Sequence, residues 1–179
     1  MMSYSIPEVE NMLDSMVALV DNREQPNKRF RERVEAIGYP HKRATLNFGD
    51  YSCEYTNIDG ETVSLENHIA IERKMSITEL CSCFVGDNRK RFEREFIRFK
   101  ENGAKAYLIV EDDDLKAIYD GSYRNQKYGS KLHPQALTAS LLAWSARYNI
   151  KVFFIPHTMS GKLIGDILHY ELREYLYDA

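Results

Sequence analysis

ATLNFGDYSCEYTNIDGETVSLENHIAIERK, residues 44–74, decides the architecture. Residues 44–56 and 61–73 read as two extended segments joined by Asn57-Ile58-Asp59-Gly60, and an Asp-Gly step between β-rich runs is a strong hairpin signal. Polar residues gather at the open ends of this hairpin: Gly49-Asp50-Tyr51 on one arm and Glu72-Arg73-Lys74 on the other. If the arms pair around the turn, the start of one lies beside the end of the other, which brings Asp50 near Glu72 and Lys74.

Outward from the hairpin the pattern alternates. Met16 to Val20 is a short apolar run stopping at Asp21, as a buried strand does. Asn27 to Ile37 carries Phe30, Val34 and Ile37 at helical spacing and is closed by Gly38 and Pro40. A helical period covers 77–102, with Phe92, Phe96 and Phe99 on one face and Gly103 as the stop. Ala106 to Val110 is a second buried-type strand. Pro134 opens a helix with Leu137, Leu141, Trp144 and Tyr148 on one stripe, Lys151 to Ile155 is another strand, and 163–176 is a last amphipathic helix. This order predicts an α/β layer fold, a mixed sheet with helices on its faces. Residues 1–15 read as an N-terminal extension, frayed through Ser5, and 16–179 as a single domain.

The 179 residues are 44% apolar and 28% charged, a globular composition, and the net charge of −3 means that a nucleic-acid site must rest on a local basic surface. Three cysteines are too few for a disulfide framework and favour a reduced compartment. No leader or membrane-length apolar run is present, so a soluble, cytoplasmic chain with no membrane partner is expected.

Glu72 and Lys74, two apart on a strand, point the same way, and Arg73 points opposite. A lone Glu-x-Lys is commonly a solvated ion pair. Two carboxylates and an ammonium converging from both arms suit a divalent metal instead. Mg²⁺ takes oxygen ligands and needs only one or two protein carboxylates. It can polarise a phosphodiester and acidify an attacking water, while a lysine offsets developing charge. No small organic cofactor is indicated.

Val20-Asp21-Asn22-Arg23-Glu24, Gly49-Asp50-Tyr51 and Ile71-Glu72-Arg73-Lys74 together resemble the nuclease domain of the XPF-type structure-specific endonucleases, within the restriction-endonuclease-like PD-(D/E)xK superfamily. The resemblance runs from about residue 18 to 155. It implies a restriction-endonuclease-like mixed central sheet and a Mg²⁺- or Mn²⁺-dependent endonuclease. The implied partners are branched DNA (flaps, forks or junctions, as in repair and recombination) and a second copy of the chain. Asp50 and Glu72 match the metal-binding acids and Lys74 the catalytic lysine. Arg73 matches an arginine needed for activity. Asp21 and Glu24 match further acids near the metal, with Asp21 a third ligand, and Arg23 a supporting base. Thr78 departs from the pattern, which has an aspartate four residues after the lysine; either the position is structural, with Glu79 substituting, or the site is weakened. No helix-hairpin-helix tail is expected after the domain.

Arg89, Lys90, Arg91, Arg94, Arg98 and Lys100 form a basic face on a helix whose phenylalanines turn inward. A solvated face is an equal alternative, and the resemblance favours DNA contact by Arg89, Lys90 and Arg91. Tyr119, Tyr123, Arg124, Lys127, Tyr128 and Lys131 could clamp single-stranded DNA, but a plain mobile loop is the simpler reading. Cys81-x-Cys83 lacks a four-ligand zinc spacing. The apolar helices at 134–148 and 163–176 and the tyrosine-rich end suggest a homodimer interface. A catalytically inactive DNA-binding or scaffolding module, and a restriction- or resolvase-type nuclease, are the rivals.

Overall fold

The computed structural model describes residues 4–126 and 129–178, which fall into two compact units: residues up to 70 together with those from 158 onward, and residues 71–157. Both are mixed α/β, with strands paired at their centres and helices packed on them.

In the first unit, helix α1 (Ile6–Asp14) precedes strand β1 (Val17–Asp21). Residues 6–14 of the N-terminal extension are thus helical, and α1 carries local signals of its own. The Glu8 carboxylate accepts from the Ser5 N–H at 2.6 Å and from its hydroxyl at 2.7 Å, Pro7 lies in the first turn, and Val9, Met12 and Leu13 are buried at helical spacing. Strand β1 is followed by α2 (Lys28–Ala36), capped by the Asn27 side chain accepting from the Phe30 N–H, and then by β2 (His41–Ala44). The sheet continues with β3 (Tyr51–Thr56) and β4 (Thr62–Ser64). β1 lies parallel to β2 and antiparallel to β3, with Ala18 opposite both His41 and Cys53.

The hairpin is present but shorter than the two arms read from the sequence. Glu54 pairs with Ser64 and Thr56 with Thr62, and the Asn57 side chain organises the turn by accepting from the N–H groups of Asp59 and Glu61. Residues 44–56 are not one strand: the chain leaves β2 at Ala44 and loops through 45–50 because Leu46 and Phe48 turn inward and are buried. The second arm likewise breaks at Leu65, wholly buried, before β5 (Ile69–Lys74) begins.

Helix α7 (His157–Asp178) starts earlier than the 163 expected and buries Ile164, Leu168, Leu172 and Leu176. Two glycines let it lie against α2: a Cβ on Gly161 would meet the Arg33 carbonyl oxygen at 2.2 Å, and one on Gly165 the Ile37 carbonyl oxygen at 2.1 Å. Backbone cannot yield there, so close approach itself requires glycine.

In the second unit, 77–102 is two helices, α3 (Ile77–Cys83) and α4 (Gly86–Glu101). The break falls where Phe84 turns inward, edge-on to Phe92 at 6.0 Å and to Trp144 at 4.8 Å, and where Gly86 takes a φ of +55° that no continuous helix contains. Strand β6 (Lys105–Glu111), helix α5 (Leu115–Asp120), helix α6 (Pro134–Tyr148) and strand β7 (Ile150–Ile155) follow, with β6 and β7 parallel and Ala106 opposite Ile150. The stripe Leu137, Leu141, Trp144 and Tyr148 is buried. The segment from 119 is not a plain loop, because a 3-10 turn at Ser122–Asn125 buries Tyr123, whose hydroxyl donates to the Leu132 carbonyl. Lys127 and Tyr128 lie outside the described residues. No helix among the described residues is long and apolar enough to cross a membrane.

Candidate functional site

The residues singled out in sequence fall into two groups, one in each unit. In the first, β1 delivers Asp21 at its C-terminal end, wholly buried. A buried carboxylate must be met by donors. Asp21 Oδ1 accepts from the Arg23 backbone N–H at 2.7 Å and from Arg23 Nε at 2.6 Å. Its Oδ2 accepts from Arg23 Nη2 at 3.1 Å and from the Leu46 N–H at 2.9 Å. The Asp21 N–H in turn donates to the Asp50 carbonyl at 2.9 Å. Asp21 therefore ties both ends of the 45–50 loop, and Gly49, at φ +68°, turns the chain so that half-buried Asp50 enters β3.

Glu24 is also buried. Its Oε2 accepts from Arg33 Nη1 and from the Tyr51 hydroxyl, both at 3.0 Å. Arg43 Nη2 donates to the carbonyls of Asn22 and Glu24 at 2.7 and 2.8 Å, which fixes the backbone between those acids. Sequence reasoning did not find Arg33, Tyr51 or Arg43 in these roles. An arginine interrupting the apolar face of α2 was the available signal for Arg33.

In the second unit, Glu72, Arg73 and Lys74 are all buried at the end of β5. Strand alternation has its expected effect here. Lys74 Nζ donates to Glu72 Oε1, and Arg73 Nη1 reaches Glu111 Oε2 at 3.3 Å, where Glu111 is wholly buried on β6. The chain after Lys74 is clamped: Glu79 Oε2 accepts from the Met75 N–H at 2.6 Å, while Ser76 Oγ accepts from the Glu79 N–H at 3.2 Å. These two bonds start α3 and occupy the Glu79 carboxylate. Thr78, half-buried, has its hydroxyl 3.5 Å from Gln126 Oε1.

Arg89, Lys90 and Arg91 are exposed on the first turns of α4. Arg89 is held against α6, its Nη1 donating to Ser140 Oγ at 3.2 Å and its guanidinium 5.4 Å from the Trp144 ring centroid. Lys90 shares a shallow depression with Asp87, Glu93, Arg94 and Ile97. The acids after β6 serve the backbone: Asp113 accepts from the Ile77 N–H, Asp114 from Ala117 and Asp112 from His157, each at 2.8 Å. Cys53 and Cys81 are buried and Cys83 partly so, and burial pushes the Cys53 thiol up to about 12. Within either unit, no three acidic, histidine or cysteine side chains among the described residues gather as a ready metal shell.

Burial works to raise the Asp21 pKa, but the side-chain and backbone donors of Arg23 and the Leu46 N–H outweigh it and hold the carboxyl below its usual value. A carboxyl depressed on folding contributes stability above its unfolded pKa of about 4 and loses it as pH falls through the folded value. Urea unfolding of the wild type and Asp21→Asn between pH 6 and 3 should show the wild-type advantage shrinking toward the acid end. A gap constant with pH would mean that Asp21 is not held charged by its donors.

Residues 20–165 match the ERCC4 domain, and ERCC4 domains are nucleases that generally depend on a divalent metal. Among curated proteins none matches. Of solved structures, the chain is similar to XPF from Aeropyrum pernix, with a TM-score of 0.58 and 20% identity over 86% of this chain and 60% of that one. It is also similar to XPF from Aeropyrum pernix in complex with DNA, with a TM-score of 0.56 and 20% identity over 86% of this chain and 63% of that one. The chain thus spans about 60% of the length of those XPF chains, and the likeness is one of fold. With most of its length matching the family model, this chain belongs to the ERCC4 domain family.

Proposed function

We propose that the chain is a divalent-metal-dependent DNA endonuclease acting on branched DNA such as flaps, forks or junctions. The observation that carries this reading is the buried Glu72–Lys74 pair at the end of β5, a carboxylate and an ammonium held together on one side of the strand at the positions where the resemblance has its metal-binding acid and catalytic lysine. The donors are carboxylate oxygens with no soft ligand among them, which fits Mg²⁺ or Mn²⁺. The acids that the family resemblance assigns to the ion are Asp50, Glu72 and Asp21; Asp21, with both oxygens engaged by Arg23 and Leu46, would serve only by giving up one of those donors. When bound, the ion supplies Lewis-acid polarisation of the phosphodiester.

The chain's own residues do the rest. Lys74 offsets charge developing on the phosphoryl oxygens. Glu24 is held in place by Arg33 and Tyr51, and Arg23 holds Asp21 through its guanidinium. Arg73, paired with Glu111, anchors the β5 end from the opposite side of the strand. Arg89, Lys90 and Arg91 take the DNA backbone. Leu142 on α6 and Met159 and Tyr170 on α7, each more than half exposed, are apolar residues available for a homodimer contact.

A second reading, a DNA-binding or scaffolding module without catalysis, is favoured by Thr78 standing where the family pattern has an acid and by Glu79 being occupied as a cap. Labelled flap, fork, junction and duplex DNAs separate the two. Wild type should cut in Mg²⁺ or Mn²⁺ and stop in EDTA, and Glu72→Gln or Asp50→Asn should lose turnover by orders of magnitude with binding retained. Binding without cleavage in any metal would establish the module instead. Neutralising Arg89 and Arg91 together should flatten the dependence of log affinity on log salt by roughly one unit for each phosphate no longer neutralised, and an unchanged slope would remove α4 from the DNA surface. Light scattering at micromolar concentration should give twice the 20.9 kDa chain mass; a single-chain mass, unchanged by branched DNA, would refute the homodimer.

A further inference from the structure

Lys74 has a partner of a different kind from Glu72. Its ammonium lies 5.1 Å from the centroid of the Phe92 ring on α4, within cation–π range, and Lys74 is itself buried. The ring has little freedom to move. Phe92 is edge-on to Phe96 at 4.7 Å and to Phe84 at 6.0 Å, and its centroid is 5.7 Å from that of Trp144. Offset and edge-on arrays of this kind hold rings in fixed orientation. The break between α3 and α4 serves the same end, since it lets Phe84 fold inward against Phe92.

We infer that Phe92 is a positioning residue for Lys74, its ring face holding the ammonium where Glu72 alone would not. The physical reason is a competition. A carboxylate that turns toward a divalent ion weakens its hold on a neighbouring ammonium, whereas an aromatic face attracts the cation through its quadrupole and binds no metal. An ammonium shared between Glu72 and Phe92 therefore keeps its place when the carboxylate is drawn away. A carboxylate in place of the ring would not achieve this, and an aliphatic residue would leave a desolvated charge with less to meet it. The inference rests on Lys74 acting in the proposed nuclease chemistry, but its hold by the ring can be read without any cleavage.

The test uses the whole chain. The ε-methylene protons of Lys74, assigned by their loss in Lys74→Arg, should resonate upfield of ordinary lysines in the ring current of Phe92 and return to the ordinary position in Phe92→Leu. Fluorinated phenylalanines placed at position 92 weaken the ring quadrupole while nearly keeping its shape, so turnover on flap DNA should fall stepwise with fluorine number, to about tenfold. KM and the thermal midpoint should change little, and Phe92→Tyr should keep most of the turnover. Unshifted Lys74 protons would overturn the cation–π pairing, and a shifted signal with turnover flat across the fluorine series would overturn the positioning role. A shifted signal in a wild type that cuts no DNA would remove the nuclease reading and leave the hold of Phe92 on Lys74 standing.

Discussion

A carboxylate taken out of water costs several kcal/mol unless donors or a cation meet it, and the polar strand ends of this chain are built around that cost. Asp21, Glu24, Glu72 and Glu111 are all buried, and each is met by a base: Arg23, Arg33, Lys74 and Arg73 in turn. The bases are drawn from different places in the chain. Arg23 is two residues from its acid, Lys74 two residues from its own on the same strand, Arg33 comes from α2, and Arg73 crosses to β6. Moving any of these elements would leave a buried charge unmet, so the pairs constrain how strands and helices sit within each unit.

That constraint explains why the loops beside the acids are ordered by polar contacts as much as by apolar ones. The 45–50 loop is drawn in by Leu46 and Phe48, but its register comes from the Leu46 N–H on Asp21 and the Asp21 N–H on the Asp50 carbonyl. The turn after Lys74 is similarly set by Glu79 and Ser76. In both places hydrogen bonds between side chains and backbone fix the chain immediately beside a buried acid. The same physics separates two kinds of acid in the chain. Asp113 and Asp114, just after β6, are caps for helix N-termini.

Much was legible in residues 44–74 and their surroundings. The Asp-Gly turn, the short apolar runs ending in acids, and helical stripes closed by glycine or opened by proline are local signals, and local signals depend only on backbone preference and periodicity. They gave the α/β class and most elements, and the strand positions of Glu72, Arg73 and Lys74 gave their alternation. Where elements were misjudged, tertiary packing overrode the local pattern. Leu46, Phe48 and Leu65 interrupt strands because each has a place in the core to fill, and Phe84 divides a helical run because its ring packs edge-on against Phe92 and Trp144.

By itself the sequence determined which residue types stand at the strand ends, because composition and spacing are written in one dimension. Which base answers which acid was decided only by the tertiary structure. Arg33 lies nine residues from Glu24, and Glu111 lies 38 from Arg73. No periodicity encodes such distances. Phe92 shows the same limit most plainly. In the sequence it is one member of a core stripe with Phe96 and Phe99. Only in the packed second unit does its face meet an ammonium from β5, because ring orientation is fixed by neighbours on other elements and not by its place along the helix.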